Sequence, residues 1–296
     1  MISIIICSIR PDYLKSIAQN IQDTIGVPYE LIAINNQGTG KGICHVYNAG
    51  VARAKYDILC FMHEDIDIKT LNWGKTLVNL FKDEQLGVVG VAGSAFVPIT
   101  PSTGGGLNNE PTYINVLQSF KFKEKEMVHD YQNPHNEQLS EVAILDGVFL
   151  STTKKVTNEF SFDEETCNGF HGYDVDFSLA VSTKYKNAVT YDILLNHFSE
   201  GNFDKKWMLD NIKVFNKWNH ILPINIKKIS QAKAFEVEKA TFKHFVYLLL
   251  SFELPVSAAY ITLWKNNTFL RAYPSLFFKL NFYTFKKVLA KKMAKS

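Results

Sequence analysis

Short apolar runs alternate, through the N-terminal part of the chain, with stretches in which apolar residues recur every third or fourth position. Ile2 to Ser8 is a continuous apolar run of strand length. Pro11 then stands where a helix would start, and Leu14, Ile17, Ile21 and Ile25 keep helical spacing until Gly26 and Pro28 end it. Tyr29 to Asn35 makes a second strand, closing on Asn35-Asn36-Gln37-Gly38. Gly40-Lys41-Gly42 opens a helix that turns Ile43, Val46, Tyr47, Gly50, Val51 and Ala54 inward. Ile58 to Met62, led in by Tyr56, reads as a buried central strand that stops abruptly at His63-Glu64-Asp65-Ile66-Asp67. A helix over 71–82 carries Trp73, Leu77, Leu80 and Phe81 on one face, and Leu86 to Ala92 is a further strand. This β-α alternation predicts an α/β domain: a central, mostly parallel sheet flanked by helices on both faces.

The rhythm then changes. Pro98 to Asn109 holds two prolines and the run Gly104-Gly105-Gly106, a loop signature. Residues 121–141, polar and broken by Pro134, read as a surface flap between two strands, either a lid over substrate or a passive excursion. Glu141 to Leu150 returns to strand, interrupted by Asp146-Gly147. A helix opens at Asp174 after Gly172-Tyr173 and carries Val175, Leu179 and Val181. Tyr191 to Leu195 is the last expected core strand, ending on Asn196-His197, and 204–218 is helical.

From about residue 221 the composition shifts. Glu236, Glu238 and Glu253 are the only acids left, while Lys279, Lys286, Lys287, Lys291, Lys292 and Lys295 interleave with aromatic and aliphatic residues. Two domains are therefore expected, 1–220 and a basic, aromatic-rich helical appendage over 221–296. Such a tail suits either peripheral contact with an anionic membrane surface or packing on the domain with its lysines in water.

Composition narrows the function classes. A chain of 296 residues with 46% hydrophobic and 21% charged residues has a sizeable core, and a net charge of +3 gives no argument for nucleic acid. Four cysteines without a CxxC spacing point to a reducing compartment, with neither a zinc site nor a disulfide framework. The N-terminus reads as a strand instead of a signal peptide, and no apolar stretch reaches membrane-spanning length. The expected location is cytoplasmic, with a peripheral place at the inner face of the membrane if the tail binds lipid.

Ligands of open α/β sheets bind beyond the carboxyl ends of the strands, and carboxylates there need a cation or hydrogen-bond donors. The acidic end at 63–67 is thus either a divalent-metal site for a phosphorylated ligand or a cap, Asp67 with Thr70, for the next helix. Gly40-Lys41-Gly42 is no phosphate-binding P-loop, and the absence of GxGxxG after the first strand argues against a dinucleotide-dependent dehydrogenase.

Several short motifs, weak singly, are specific in their order. They are Ile5-Ile6-Cys7-Ser8, Tyr47-Asn48-Ala49-Gly50, Phe61-Met62-His63-Glu64-Asp65, Val88-Val89-Gly90-Val91-Ala92-Gly93-Ser94, Asp146-Gly147, and Gly172-Tyr173-Asp174-Val175-Asp176-Phe177-Ser178-Leu179. Over roughly residues 1–220 the chain resembles GT-A glycosyltransferases of the family 2 type, particularly the smaller glycosyltransferase-like branch that includes proteins resembling a streptomycin-biosynthesis component. The resemblance implies the GT-A fold and transfer of a sugar from a nucleotide-diphosphate donor, UDP- or GDP-linked, to a hydroxyl of a glycan, lipid-linked saccharide or small metabolite, with inversion. It implies Mn²⁺ or Mg²⁺ at an Asp-x-Asp motif. That motif here is His63-Glu64-Asp65, with His in place of the first Asp, Asp65 as the principal ligand and His197 as a further one. It also implies a general base at Asp174, where Tyr173 replaces the Glu of the family's Glu-Asp pair. The expected donor contacts are Ser8, Arg10, Asn35, Asn36, Lys41, Glu64, Asp65, Asp146 and Gly147; Asn35 and Asn36 suit either the base and ribose or a tight turn, Arg10 and Lys41 could reach phosphate, and the backbone at Gly147 the sugar. The altered motifs leave open a catalytically inactive nucleotide-sugar-binding or scaffold protein. A sugar-phosphate nucleotidylyltransferase is disfavoured, because no glycine-rich, Arg-containing loop follows Ser8.

Overall fold

A computed structural model describes residues 1–102, 112–120, 125–199, 201 and 203–293, with the backbone alone at 292. The glycines at 104–106, residues 121–124 of the expected flap, and Lys295 lie outside the described residues. The elements in chain order begin β1 (Ile2–Ser8), α1 (Pro11–Thr24), β2 (Tyr29–Asn35), α2 (Ile43–Arg53), β3 (Ile58–Met62), β4 (Ile66–Ile68), α3 (Trp73–Leu80), β5 (Leu86–Gly90), β6 (Ala92–Ser94) and β7 (Phe96–Val97). The middle of the chain gives β8 (Thr112–Gln118), β9 (Val128–Gln132), β10 (Leu139–Val142), β11 (Ile144–Leu145), β12 (Phe149–Thr153), α4 (Lys154–Glu159), α5 (Tyr173–Ser182), β13 (Lys186–Thr190) and β14 (Leu195–His197). The remainder forms α6 (Lys205–Trp218), β15 (Ile224–Asn225), α7 (Gln231–Ser251), α8 (Ser257–Trp264), α9 (Thr268–Ala272) and α10 (Pro274–Met293).

The chain divides into two compact units, Met1–Ala95 with Thr112–Asn202, and Phe96–Pro111 with Phe203–Ser296. This division and the boundary expected at residue 220 do not coincide, because α6 and the short strand β7 group with the C-terminal helices.

In the first unit a seven-stranded sheet runs β10-β13-β5-β12-β3-β1-β2. Its N-terminal strands form as expected. Ile2, Ile4, Ile5 and Ile6 are all fully buried, and β1 pairs in parallel with both β2 and β3. Helix α2 lies so close to β1 that a Cβ on Gly50 would come within 2.3 Å of the Ile5 side chain. The sheet is more mixed than the β-α alternation implies. β12 runs antiparallel to β3 and β5, and β10 antiparallel to β13, while β13 and β5 are parallel.

A second sheet, β11-β6-β8-β14-β4 with β9 on β8, accounts for the departures from sequence expectation. The strand expected over 86–92 breaks at Val91, and its continuation, β6, joins this second sheet. The strand expected over 141–150 is three pieces, β10, β11 and β12, because the chain passes to the second sheet at Ala143 and turns back at Asp146-Gly147. The strand expected over 191–195 is displaced: β13 ends at Thr190, and β14 starts at Leu195 in the other sheet. Part of the expected flap is the strand β9, paired antiparallel with β8.

The second unit contains α6 to α10 and the two-stranded pairing of β15 with β7. Asp204 caps α6, accepting from the Trp207 amide at 2.9 Å. Beneath α7 the fully buried Glu238 carboxyl accepts from the Ile99 amide at 2.7 Å and from the Thr100 hydroxyl at 3.4 Å.

Candidate active site

Four segments distant in sequence meet beyond the carboxyl ends of β1 and β3. Parallel pairing of β1 with β3 brings Ser8 and Arg10 beside the His63-Glu64-Asp65 turn. Glu64 ties them together: its carboxylate accepts from the Ser8 hydroxyl at 2.6 Å and from the Ile9 and Arg10 amides at 3.0 Å each. A buried carboxylate requires such donors. Ser8 and most of Glu64 are therefore engaged in holding two strand ends in register.

Asp65 leads into β4, whose antiparallel pairing with β14 sets His197 opposite Ile66, while the Phe198 amide donates to the Asp65 carbonyl at 3.0 Å. Asp65 Oδ1 lies 3.8 Å from His63 Nδ1 and 3.7 Å from His197 Nε2. Both gaps exceed a hydrogen bond. One ligand atom from each of the three residues can be chosen so that all lie within 4.8 Å of one another. Donors that share one ion at bond lengths of about 2.0–2.2 Å stand apart by comparable distances, so the residues present fit a divalent cation. Asp67 is not a helix cap: it sits in β4, and its carboxylate takes hydrogen bonds from Asn20 and Lys69.

His63 is fixed from behind. The Tyr173 hydroxyl donates its single proton to the Gly147 carbonyl at 3.1 Å and stands 3.0 Å from His63 Nε2. With that proton on the carbonyl, the Tyr173 oxygen can accept from Nε2–H, the tautomer in which Nδ1, the nitrogen facing Asp65, carries the free lone pair. Burial holds the His63 imidazole below its ordinary proton affinity, with the Asp65 carboxylate partly opposing that shift. A neutral imidazole is the ligating form.

Gly147 owes its identity to the same contact, since a Cβ there would lie 2.0 Å from the Tyr173 hydroxyl. Its amide donates to Asp174 Oδ2 at 3.0 Å, and Asp174 Oδ1 accepts from the Val175 amide at 2.9 Å. Asp174 is half-buried in the first turn of α5. Burial, reinforced by the negative charge of Asp146, pushes its carboxyl up to about 7.

A cleft of about 420 Å³ opens beside His63, Asp65 and His197, a size that accommodates a small ligand. Of the expected site residues, Arg10, Asn36, His63, Glu64, Asp65 and His197 line it. The others stand elsewhere. Asn35 caps its own turn by accepting from the Gln37 amide. Lys41 bonds His45 at 2.9 Å and borders a separate small pocket. Asp146 accepts from the Val148 amide at 2.9 Å, and Asp174 faces the 146–148 turn. Sequence reasoning missed Tyr13, Phe170 and His171, which also line the cleft. The Arg10 guanidinium stacks 4.1 Å from the Tyr13 ring centre, and half-exposed Phe170 lies 5.7 Å, centre to centre, from His63. The glycine-flanked aromatic pair in Gly169-Phe170-His171-Gly172 was the available signal for the last two.

The central sheet with its flanking helices and the second sheet beside it make the mixed α/β architecture of a GT-A type fold. The chain belongs to the glycosyltransferase-like family whose model matches residues 3–221. No curated protein matches the sequence significantly. Among solved structures, Staphylococcus aureus TarS 1-349 superposes with a TM-score of 0.50 at 12% identity, over 94% of this chain and 82% of that one. The same protein in complex with UDP gives 0.49 at 11%, over 94% and 82%. GalNAc-T7 with UDP, GalNAc and Mn²⁺ gives 0.49 at 10%, over 74% of this chain and 49% of that one, so the chain spans about half the length of that relative. The first of these similarities supports the GT-A fold.

Proposed function

We propose that the protein is a metal-dependent, inverting glycosyltransferase that moves a sugar from a nucleotide-diphosphate donor to a hydroxyl of a glycan, lipid-linked saccharide or small metabolite, as in polysaccharide biosynthesis. The reading includes a cytoplasmic location and peripheral contact of the C-terminal region with the membrane. The observation that carries it is the convergence of His63, Asp65 and His197 on one cleft in a chain of this family. These three residues would hold the cation. A set of two nitrogens and one oxygen favours Mn²⁺ over Mg²⁺, which prefers oxygen ligands throughout. Bound there, the cation supplies charge neutralisation for the departing diphosphate.

Of the donor contacts expected from the sequence outside the 63–65 turn, Arg10 and Asn36 line the cleft wall, Asn36 with its amide also bonded to Thr39 and to the Lys41 carbonyl. Asp174 is the proposed base. The acceptor oxygen forms its bond to the anomeric carbon as the bond from that carbon to the diphosphate breaks, and the hydroxyl proton passes to the Asp174 carboxylate. Its two backbone hydrogen bonds leave acceptor capacity on both oxygens. The same bonds, and the absence of Asp174 from the cleft lining, favour a second reading: a protein of this fold that binds nucleotide sugar without turnover. Donor hydrolysis by wild type and by Asp174→Asn separates the two. The enzyme reading expects measurable hydrolysis that the variant loses. No hydrolysis by wild type, with donor binding retained, selects the second.

A further inference from the structure

Helix α10 carries two apolar faces. One holds Leu276, Phe277, Leu280 and Thr284, all essentially buried, and the helix packs against α7, α8 and α9. The other consists of Phe278, Phe282, Phe285 and Leu289, at 66%, 60%, 57% and 47% exposure. Steps of four, three and four residues put these side chains on one stripe along the helix. Single exposed aromatics are ordinary, but a continuous line of them marks an interaction surface. Trp264, itself 56% exposed, extends it: its indole donates to Asn281 Oδ1 at 3.0 Å, and its ring lies 4.8 Å from Phe277.

The charge around the stripe is of one sign. Lys279, Lys286 and Lys287 are exposed, the Lys286 ammonium stands 4.6 Å from the Phe282 ring, and α10 contains no acidic residue. No helix among the described residues is long and apolar enough to cross a membrane. Aromatic side chains that can enter an acyl boundary, beside lysines that stay at headgroup level, complement an anionic bilayer surface. A second copy fits less well, because facing stripes would bring the same lysines together.

We propose that the Phe278-Phe282-Phe285-Leu289 stripe of α10, flanked by Lys279, Lys286 and Lys287, is the surface by which the protein lies on anionic lipid. The inference deepens the proposed function, since it specifies the partner of the C-terminal region for an enzyme with a lipid-linked or surface-bound acceptor.

Flotation of the full chain with vesicles tests it. Strong binding is expected to vesicles rich in phosphatidylglycerol and little to pure phosphatidylcholine, with binding reduced by salt. Phe278→Ser/Phe282→Ser/Phe285→Ser, all solvent-facing changes, should weaken binding by about tenfold or more. Lys286→Gln/Lys287→Gln should weaken it on the order of 20-fold. A circular-dichroism melt of each variant establishes that it folds. Failure of wild type to float with anionic vesicles, or undiminished flotation of the folded Phe variant, overturns the inference. So does a wild-type dimer that dissociates in the Phe variant while neither binds lipid. Donor hydrolysis, measured without lipid on the same preparations, keeps the two proposals apart: flotation can fail with hydrolysis intact, and hydrolysis can fail with flotation intact.

Discussion

His63 and Tyr173 stand where the GT-A resemblance leads one to expect the first Asp of Asp-x-Asp and the Glu of Glu-Asp, and 110 positions apart in sequence they share a hydrogen bond of 3.0 Å. In the proposed cation site an imidazole ligand needs its tautomer fixed, and an uncharged hydroxyl at hydrogen-bond distance can do that without adding charge. Tyr173→Phe is expected to lower Mn²⁺ affinity about tenfold, read by titration calorimetry. Gly147→Ala should act on the same contact more severely, because the new methyl would occupy the place of the Tyr173 hydroxyl. Asp174→Asn should leave Mn²⁺ binding unchanged and reduce turnover by about 10²–10⁴-fold. The Asp174 carboxyl, pushed up to about 7, is protonated below that pH, so in the proposed base role it should make kcat/KM of the wild type rise as pH increases through about 7 and then level off. Asp65, His63 and His197 were legible as candidates because their residue types are chemically marked. The Tyr173 contact was not, since a hydroxyl one position before a helix acid carries no sign of what it touches.

At the scale of elements, Glu64 links the segment after β3 to the end of β1 through three hydrogen bonds. Glu64→Gln replaces an acceptor oxygen with an amide that cannot serve the Ser8 hydroxyl and the two backbone amides together. It should cost about 1–3 kcal/mol in urea denaturation. Helix α7 makes a second, pH-dependent prediction. Burial raises the Glu238 carboxyl to about 8, above its ordinary value of 4.5. The folded state thus keeps a proton that the unfolded chain releases. Its contribution to stability is complete below about 4.5 and is lost as pH rises through about 8. Glu238→Gln should flatten this part of the stability–pH curve in melts across that range. Sequence patterning located β1 and β3, buried along almost their whole length, and β2, together with the helices α1, α2, α3 and α6, each of which buries one face. The short strands β4, β6 and β14 have three residues each and are defined by partners far along the chain, so no period within them could show. The strand expected over 191–195 failed for that reason, its apolar residues being divided between the connection after β13 and the start of β14.

At the scale of the whole molecule, the sequence shift near residue 221 registers a real asymmetry of charge, yet it is not where the compact units part. Phe96–Pro111 joins the C-terminal unit through pairing of β7 with β15 and through Glu238, and no local composition signals a contact across more than a hundred residues. The account of function rests on a cation held at His63, Asp65 and His197 that grips a diphosphate in the cleft of the first unit. Its most direct test is the affinity of the full chain for UDP and for GDP, with and without Mn²⁺, in wild type and in Asp65→Asn. Mn²⁺ should tighten binding of one of the two nucleotides by about tenfold or more in the wild type, and the variant should lose that gain. Equal affinity with and without the ion, or a gain that survives in Asp65→Asn, would contradict the account.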